Sequence, residues 1–343
     1  MVAKSVCDLN TTFHRIRTFD HVPQSQSSCQ LAASNLPYQK EKTITMILQL
    51  NRRKFSHHNY HRHMSEASLA PLQAFRSQVT GNLHQVLESL KLGSNFLSLK
   101  WIHQCFQMLP ILNNAFAKLM AEIDYPVSNW EAGSVEEYLD YTINLLELLN
   151  AISSSLSHLN QARVSLSHVL SLTESSPAMA VERMREITVH DSIKGFKVSG
   201  RDDEMKRNGK ESIFHEAMMI LKSTGFWFCG VVLSGLKSDA TPIMEIMRSG
   251  VVMDCSLMPL DSIFRKKITE ERGLVKEVEE VNETVRLIVS KGIGGYDAGM
   301  ELKTRLEVVG NGLQGLKDEE EGLFAKVMTA RNEVIETLRK RNN

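Results

Sequence analysis

Beyond residue 64 the apolar positions fall at helical spacing in one stretch after another. The fullest is Pro126–Gln161, PVSNWEAGSVEEYLDYTINLLELLNAISSSLSHLNQ. Leu139, Leu146, Leu149 and Leu156 carry its stripe, and Tyr138, Leu145, Ile152 and Leu159 widen it enough to face more than one partner helix. Pro126 predicts a stop for the helix before it. Ser128 or Asn129 is placed to cap the helix that begins there, and Ser134 with Glu137 offers a capping box. The helix is expected to run on to Leu172. Its hydroxyl-rich run Ser153–Asn160 implies a solvated face or a close helix approach.

Ahead of it, Leu83, Val86, Leu87 and Leu90 space one helix, ended by Gly93. Leu97 to Ile123 carries a second, which Pro110 should kink or divide. Ala178 to Ile187 predicts a short helical piece. The most apolar window is Ser223–Leu236, STGFWFCGVVLSGL, bounded by Lys222 and Lys237. Its uncharged run would span about 21 Å as a helix, short of the roughly 30 Å hydrocarbon core of a bilayer. Two readings fit: a buried core segment, or a membrane segment using Phe226, Trp227, Phe228, Val231, Val232 and Leu233. Further on, Leu274, Val278, Val281, Val285 and Ile288 alternate spacings of four and three until Gly292–Gly295. The last helix repeats the rule from Leu302 through Val334, with Glu320 at a seam position. Gly310, Gly312, Gly315 and Gly322 weaken an independent coiled coil and favour an antiparallel pair folded back on a bundle. The expected fold is all-α: an elongated multi-helix bundle with coiled-coil-like C-terminal helices.

Composition adds little to this. In 343 residues, 42% are hydrophobic and 23% charged, as in ordinary soluble proteins, and 40 basic residues balance 40 acidic ones. That balance gives no reason to expect nucleic acid as a partner. Five scattered Cys with no CxxC pair point to a reducing compartment, not a disulfide framework. Residues 1–63 differ: rich in Ser and His, poor in acid, and without a signal-peptide core. They read as a disordered extension or as a transit peptide, and Met64 looks like a natural start. The expected organisation is therefore an extension over 1–63 and a helical domain over 64–343. The latter divides into N-terminal helices over 64–177, a linker over 190–212, and the apolar segment with C-terminal helices over 213–343.

Candidate chemistry is sparse. In Asn51–His63, His57 and His61 have helical metal-ligand spacing, but basic neighbours disfavour a cation and no Cys or carboxylate completes four ligands. His158 lies near a Ser run without a strand–turn–helix elbow, so a Ser nucleophile is not indicated. Gly195 and Gly200 lack the Gly-Lys-Ser/Thr of a phosphate loop. No catalytic, metal or cofactor-binding residue is assigned, and no cofactor is expected.

PVSNWE followed by YLDYTINLLELLNAISSSLSHLNQ resembles the signature of the plant BYPASS family. LKWIHQCFQMLPILNNAFAKLMAEIDYPV and STGFWFCGVVLSGL resemble its first core helices and its Gly-containing apolar segment. The resemblance is good over residues 70 to 175 and looser over 215 to 343. It implies a role in root and shoot development, restraining production of a root-derived, carotenoid-dependent mobile signal. It also implies links to exocyst subunits and membranes, and a plastid location for some members. It supplies no catalytic residues. The N-terminal extension and a short, polar 190–212 depart from the family pattern.

The leading reading is a non-enzymatic helical interaction protein with a protein partner, for which Trp130 and Tyr138 are the candidate contacts. The alternatives are a membrane-associated trafficking or structural component, and an enzyme of carotenoid-derived signal metabolism. Location is expected inside the cell, in the chloroplast or at the cytoplasmic and endomembrane periphery.

Overall fold

The structure, a computed structural model, describes residues 66–91, 96–188, 209–249, 251, 253–254, 256–271, 275–291 and 296–342. The 1–63 extension with its His-rich run, most of the 190–212 linker, Gly93 and Gly292–Gly295 lie outside the described residues. Among those described, the chain is all-α, a bundle of packed helices without a strand. In order they are α1 (Glu66–Lys91), α2 (Leu99–Glu122), α3 (Ala132–Ser171), α4 (Pro177–Arg183), α5 (Lys210–Lys237), α6 (Thr241–Arg248), α7 (Met258–Glu271), α8 (Lys276–Lys291) and α9 (Tyr296–Asn342).

At the centre stands α5. Leu221, Phe226, Trp227, Phe228, Val231, Val232 and Leu233 are all 0% exposed. Its length and composition would let it cross a membrane, yet 89% of its most apolar window is buried inside the protein. Of the two expected readings, the buried core segment describes Phe226, Trp227, Phe228, Val231, Val232 and Leu233 in this fold, where protein surrounds them. Helix α2 runs antiparallel to α5, with Ile102 against Gly235, Leu109 against Gly225 and Phe116 edge-on to Phe214. Helix α3 runs parallel to it, with Trp130 near Phe214 and Tyr141 near Phe226. A Cβ at Gly230 would lie 3.1 Å from the Ile243 Cα, so the absent side chain lets α6 approach by its backbone. Ser234 accepts a hydrogen bond from the Ile243 amide (3.1 Å) at the same crossing. On the α7 side, Trp227 donates to Asp261 (3.1 Å), and Phe264 lies among the rings of Phe96, Trp101 and Trp227.

Pro110 does not divide α2, which is continuous through it. Packing of its Ile102–Met120 stripe against α5 outweighs the one backbone hydrogen bond that proline removes. The start of α3 also differs from expectation. Val127–Asn129 form a separate 3-10 turn, and Glu131 caps α3 without a side-chain bond. The expected Ser134–Glu137 box does not form, because Glu137 is drawn away by α5. It hydrogen-bonds with His215 Nδ1 (3.0 Å) and accepts from Lys222 Nζ (2.9 Å). Lys210 to Ser212, read as the end of the linker, form the first turn of α5.

Burial pushes the Glu137 carboxyl up, but its bonds to His215 and Lys222 outweigh this and hold it below the ordinary Glu range. A depressed folded-state pKa stabilises the fold above the unfolded value and loses that contribution as pH falls through the folded one. Glu137→Gln should therefore cost about 1.5–3 kcal/mol at neutral pH, as loss of charged hydrogen bonds does. The difference in Tm from wild type should shrink below the ordinary Glu pKa of about 4.3 and vanish at lower pH. Thermal melts across that range check it; a pH-independent difference would remove the ionised pair as the cause.

Helix α9 folds back along α3 for the full length of both. Gly299 faces Leu170, Gly310 faces Arg163, Lys317 donates to Ser153 Oγ (2.5 Å), and Arg331 donates to the Leu139 carbonyl and to Thr142. Arg341 reaches the Trp130 carbonyl (3.0 Å). Ascending numbers on one helix thus meet descending numbers on the other. Seam position Glu320 is 3% exposed and is neutralised by Lys317 at 2.8 Å, so its charge sits in the seam already paired. Of the hydroxyl run on α3, Ser153 accepts from α9, while Ser155 and the exposed Ser157 donate to carbonyls of their own helix.

Candidate functional site

A recess lies between α2, α3 and α9. Helix α9 touches α2 as well as α3: a Cβ at Gly312 would come within 2.6 Å of Leu99, and Glu319 accepts from Gln107 (3.1 Å). Further along, the facing surfaces are small. Pro110, Asn114, Ala117 and Ala121 present one side of α2, and Ala330 takes a seam position on α9. The recess, of about 550 Å³, opens there, with the Tyr125–Val127 turn at its edge.

Its walls are apolar and aromatic. Trp130 and Tyr138, the candidate contacts read from the sequence, are brought together, with ring centroids 5.2 Å apart in an edge-to-face arrangement, and both line the recess. Tyr138 also stacks on Phe116 at 6.1 Å. Trp130 is not a projecting contact: it is 4% exposed, donates to the Tyr125 carbonyl (3.1 Å), and packs on Phe214 at 4.8 Å. Its indole serves as a wall. Tyr138 is half-buried, so of the two it is the residue whose polar atom, the hydroxyl, a bound partner can reach. Leu323, Val327 and Val334 of α9 form the opposite side.

Polar groups are few. Asn113 is committed, accepting from Tyr141 (3.2 Å) and donating to the Leu109 carbonyl (2.8 Å). Thr142 is committed to Leu139 and Arg331. The Tyr138 hydroxyl has no hydrogen-bond partner among the described residues. Burial raises its pKa, and the nearby Glu333 carboxylate raises it further, so it stays protonated and ready to donate. At the rim, Lys326 and Glu333 carry opposite charges, and Asp124 holds Lys210 at 3.5 Å.

No nucleophile–base pair lines this recess. Cys105 and Cys229 lie elsewhere in the core, their thiols pushed up by burial and thus inert. Among the described residues no group of His, Cys, Asp and Glu is arranged to hold a metal ion. The α9 wall was missed by sequence reading, which saw Leu323, Val327 and Val334 as seam residues only. The available signal was Ala330 on a seam otherwise filled by Leu and Val, and the small residues Ala117 and Ala121 on the solvent-facing side of α2.

Fold and site together define an all-helical protein with an aromatic-walled recess and no assembled catalytic group at it. Comparison with known proteins then gives its relatives. The chain is similar to "Protein BPS1, chloroplastic" of Arabidopsis thaliana, 22% identical over 303 residues, covering 80% of this chain and 86% of that protein. It is also similar to "UPF0496 protein 4" of Oryza sativa subsp. japonica (22% over 220 residues) and of subsp. indica (22% over 215 residues). The chain spans about half the length of the rice proteins, 48% and 47%. No protein-family profile matches the chain, and no solved structure matches it. The resemblance to the BYPASS family, read first from Pro126–Gln161, thus extends over most of the chain.

Proposed function

We propose that this chain is a non-enzymatic helical interaction protein in plant root and shoot development, with the Trp130–Tyr138 recess as its contact site. The observation that carries this reading is similarity to the Arabidopsis protein along 80% of the chain. The resemblance implies restraint of a root-derived mobile signal, and binding of a partner is the means by which a helical scaffold would exert it. The word "chloroplastic" in the relative's name makes the plastid the first location to test.

The test is rescue of root and shoot growth in Arabidopsis thaliana plants lacking that relative. The wild-type chain should restore growth, and a folded Tyr138→Ala variant should restore it less. Wild-type protein that accumulates without restoring growth would remove the developmental role. Imaging the full chain beside a version starting at Met64 tests location: plastid entry by the full chain alone makes residues 1–63 a transit peptide.

A further inference from the structure

We propose that the recess between α2, α3 and α9 binds an uncharged, largely apolar small molecule carrying one carbonyl or hydroxyl group, which accepts a hydrogen bond from Tyr138. This rests on the reading of the recess as the contact site and names its occupant. Size comes first: about 550 Å³ is the volume of a small-molecule site. Exposure argues the same way. Phe116, Trp130, Leu323, Val327 and Val334 are each 3–5% exposed, so these walls are set back behind the rim. An occupant must enter to reach them.

Charge then narrows the class. Among the lining residues the charges balance, Lys326 against Glu333, with Asp124 held by Lys210, and the neighbouring Arg331 and Arg341 are spent on Thr142 and the Trp130 carbonyl, so no cluster of one sign faces the recess. Among the lining residues that are at least half-buried, the Tyr138 hydroxyl makes no hydrogen bond within the described residues, while Asn113 and Thr142 are already bonded; the Asn114 amide also lines the recess but stands exposed to solvent. An apolar body against Phe116 and Trp130 with one acceptor at Tyr138 satisfies that donor, which an all-hydrocarbon occupant would leave buried and unpaired.

The experiment uses the full chain and the neutral fluorophore N-phenyl-1-naphthylamine. Wild-type protein should give a saturable, one-to-one rise in emission. Ala117→Trp and Ala121→Trp, at exposed positions lining the recess, should each weaken binding at least about tenfold by filling it, while melting like wild type. In competition, 2-acetylnaphthalene should displace the fluorophore more tightly than 2-ethylnaphthalene, by about three- to tenfold, a single neutral hydrogen bond. Tyr138→Phe should erase that preference. No saturable binding, or binding untouched by both Trp variants, overturns the site; a preference that survives Tyr138→Phe overturns the assigned donor. Growth rescue by wild type without fluorophore binding removes the ligand and leaves the interaction role. Fluorophore binding without rescue removes the developmental role and leaves the site.

Discussion

Trp227→Ala should cost the protein about 4 kcal/mol or more, the upper range for removing a buried Trp side chain. Trp227 is 0% exposed and packs edge-on to Phe228 (5.1 Å) and Phe264 (6.2 Å). Truncation leaves a cavity where α5 and α7 meet. It also strips Asp261, itself 9% exposed, of its indole donor. Arg265 remains 2.8 Å from the other carboxylate oxygen, so the charge keeps one partner. For a fold of ordinary stability, roughly 5–15 kcal/mol, that loss is a large share and should lower Tm by about 10 °C. Trp227→Phe separates the two causes: it keeps most of the volume and loses the hydrogen bond, for about 1–3 kcal/mol. Calorimetry on the three proteins decides. A Trp227→Ala loss under about 1 kcal/mol would mean that this crossing is not packed as described.

Val232→Asp should go further and leave no cooperative unfolding transition at neutral pH. Val232 is 0% exposed. A carboxylate there would be desolvated without a designed partner, at several kcal/mol, comparable to the whole stability of many domains. Val308→Asp is the control. That position on α9 is 52% exposed, and the change should stay within about 0.5 kcal/mol. Circular dichroism melts of the two variants suffice. Val232→Asp melting like wild type would show that α5 does not stand at the centre of the bundle in solution.

Much of this fold could be read in advance because its long helices carry their period openly. Helix α9 presents Leu302, Leu306, Val309, Leu313 and Leu316 to the seam as expected, and α3 ends at Ser171 within a residue of the anticipated stop. Tertiary effects defeated the finer readings. Proline at 110 predicts a kink or a break from local chemistry alone; it is the break that the surrounding core overrules. The Glu137 capping box lost to partners on α5 that lie far away in sequence. The apolar window of α5 could not choose between lipid and protein, since both bury the same side chains; in this fold its neighbours are protein. The recess is the plainest case. Trp130 and Tyr138 could be picked out because they are conspicuous, but the cavity itself requires α2 and α9 to meet across some two hundred residues. Local patterns hold no record of that pairing beyond one alanine, Ala330, where the α9 seam otherwise carries Leu or Val.

The antiparallel return of α9 has a consequence for how the protein is made. The chain leaves the ribosome from its N-terminus, so α2 and α3 emerge long before the helix that covers them. Until α9 is synthesised, the α3 flank awaiting Lys317 and Arg331 stands open, and the recess has only part of its wall. Such a nascent chain shows apolar surface for a matter of seconds at ordinary translation speeds, about 5–20 residues per second. Ligand capacity should therefore arrive late and all at once, with the completion of α9, and a stalled or prematurely ended translation product would have a chaperone as its first companion.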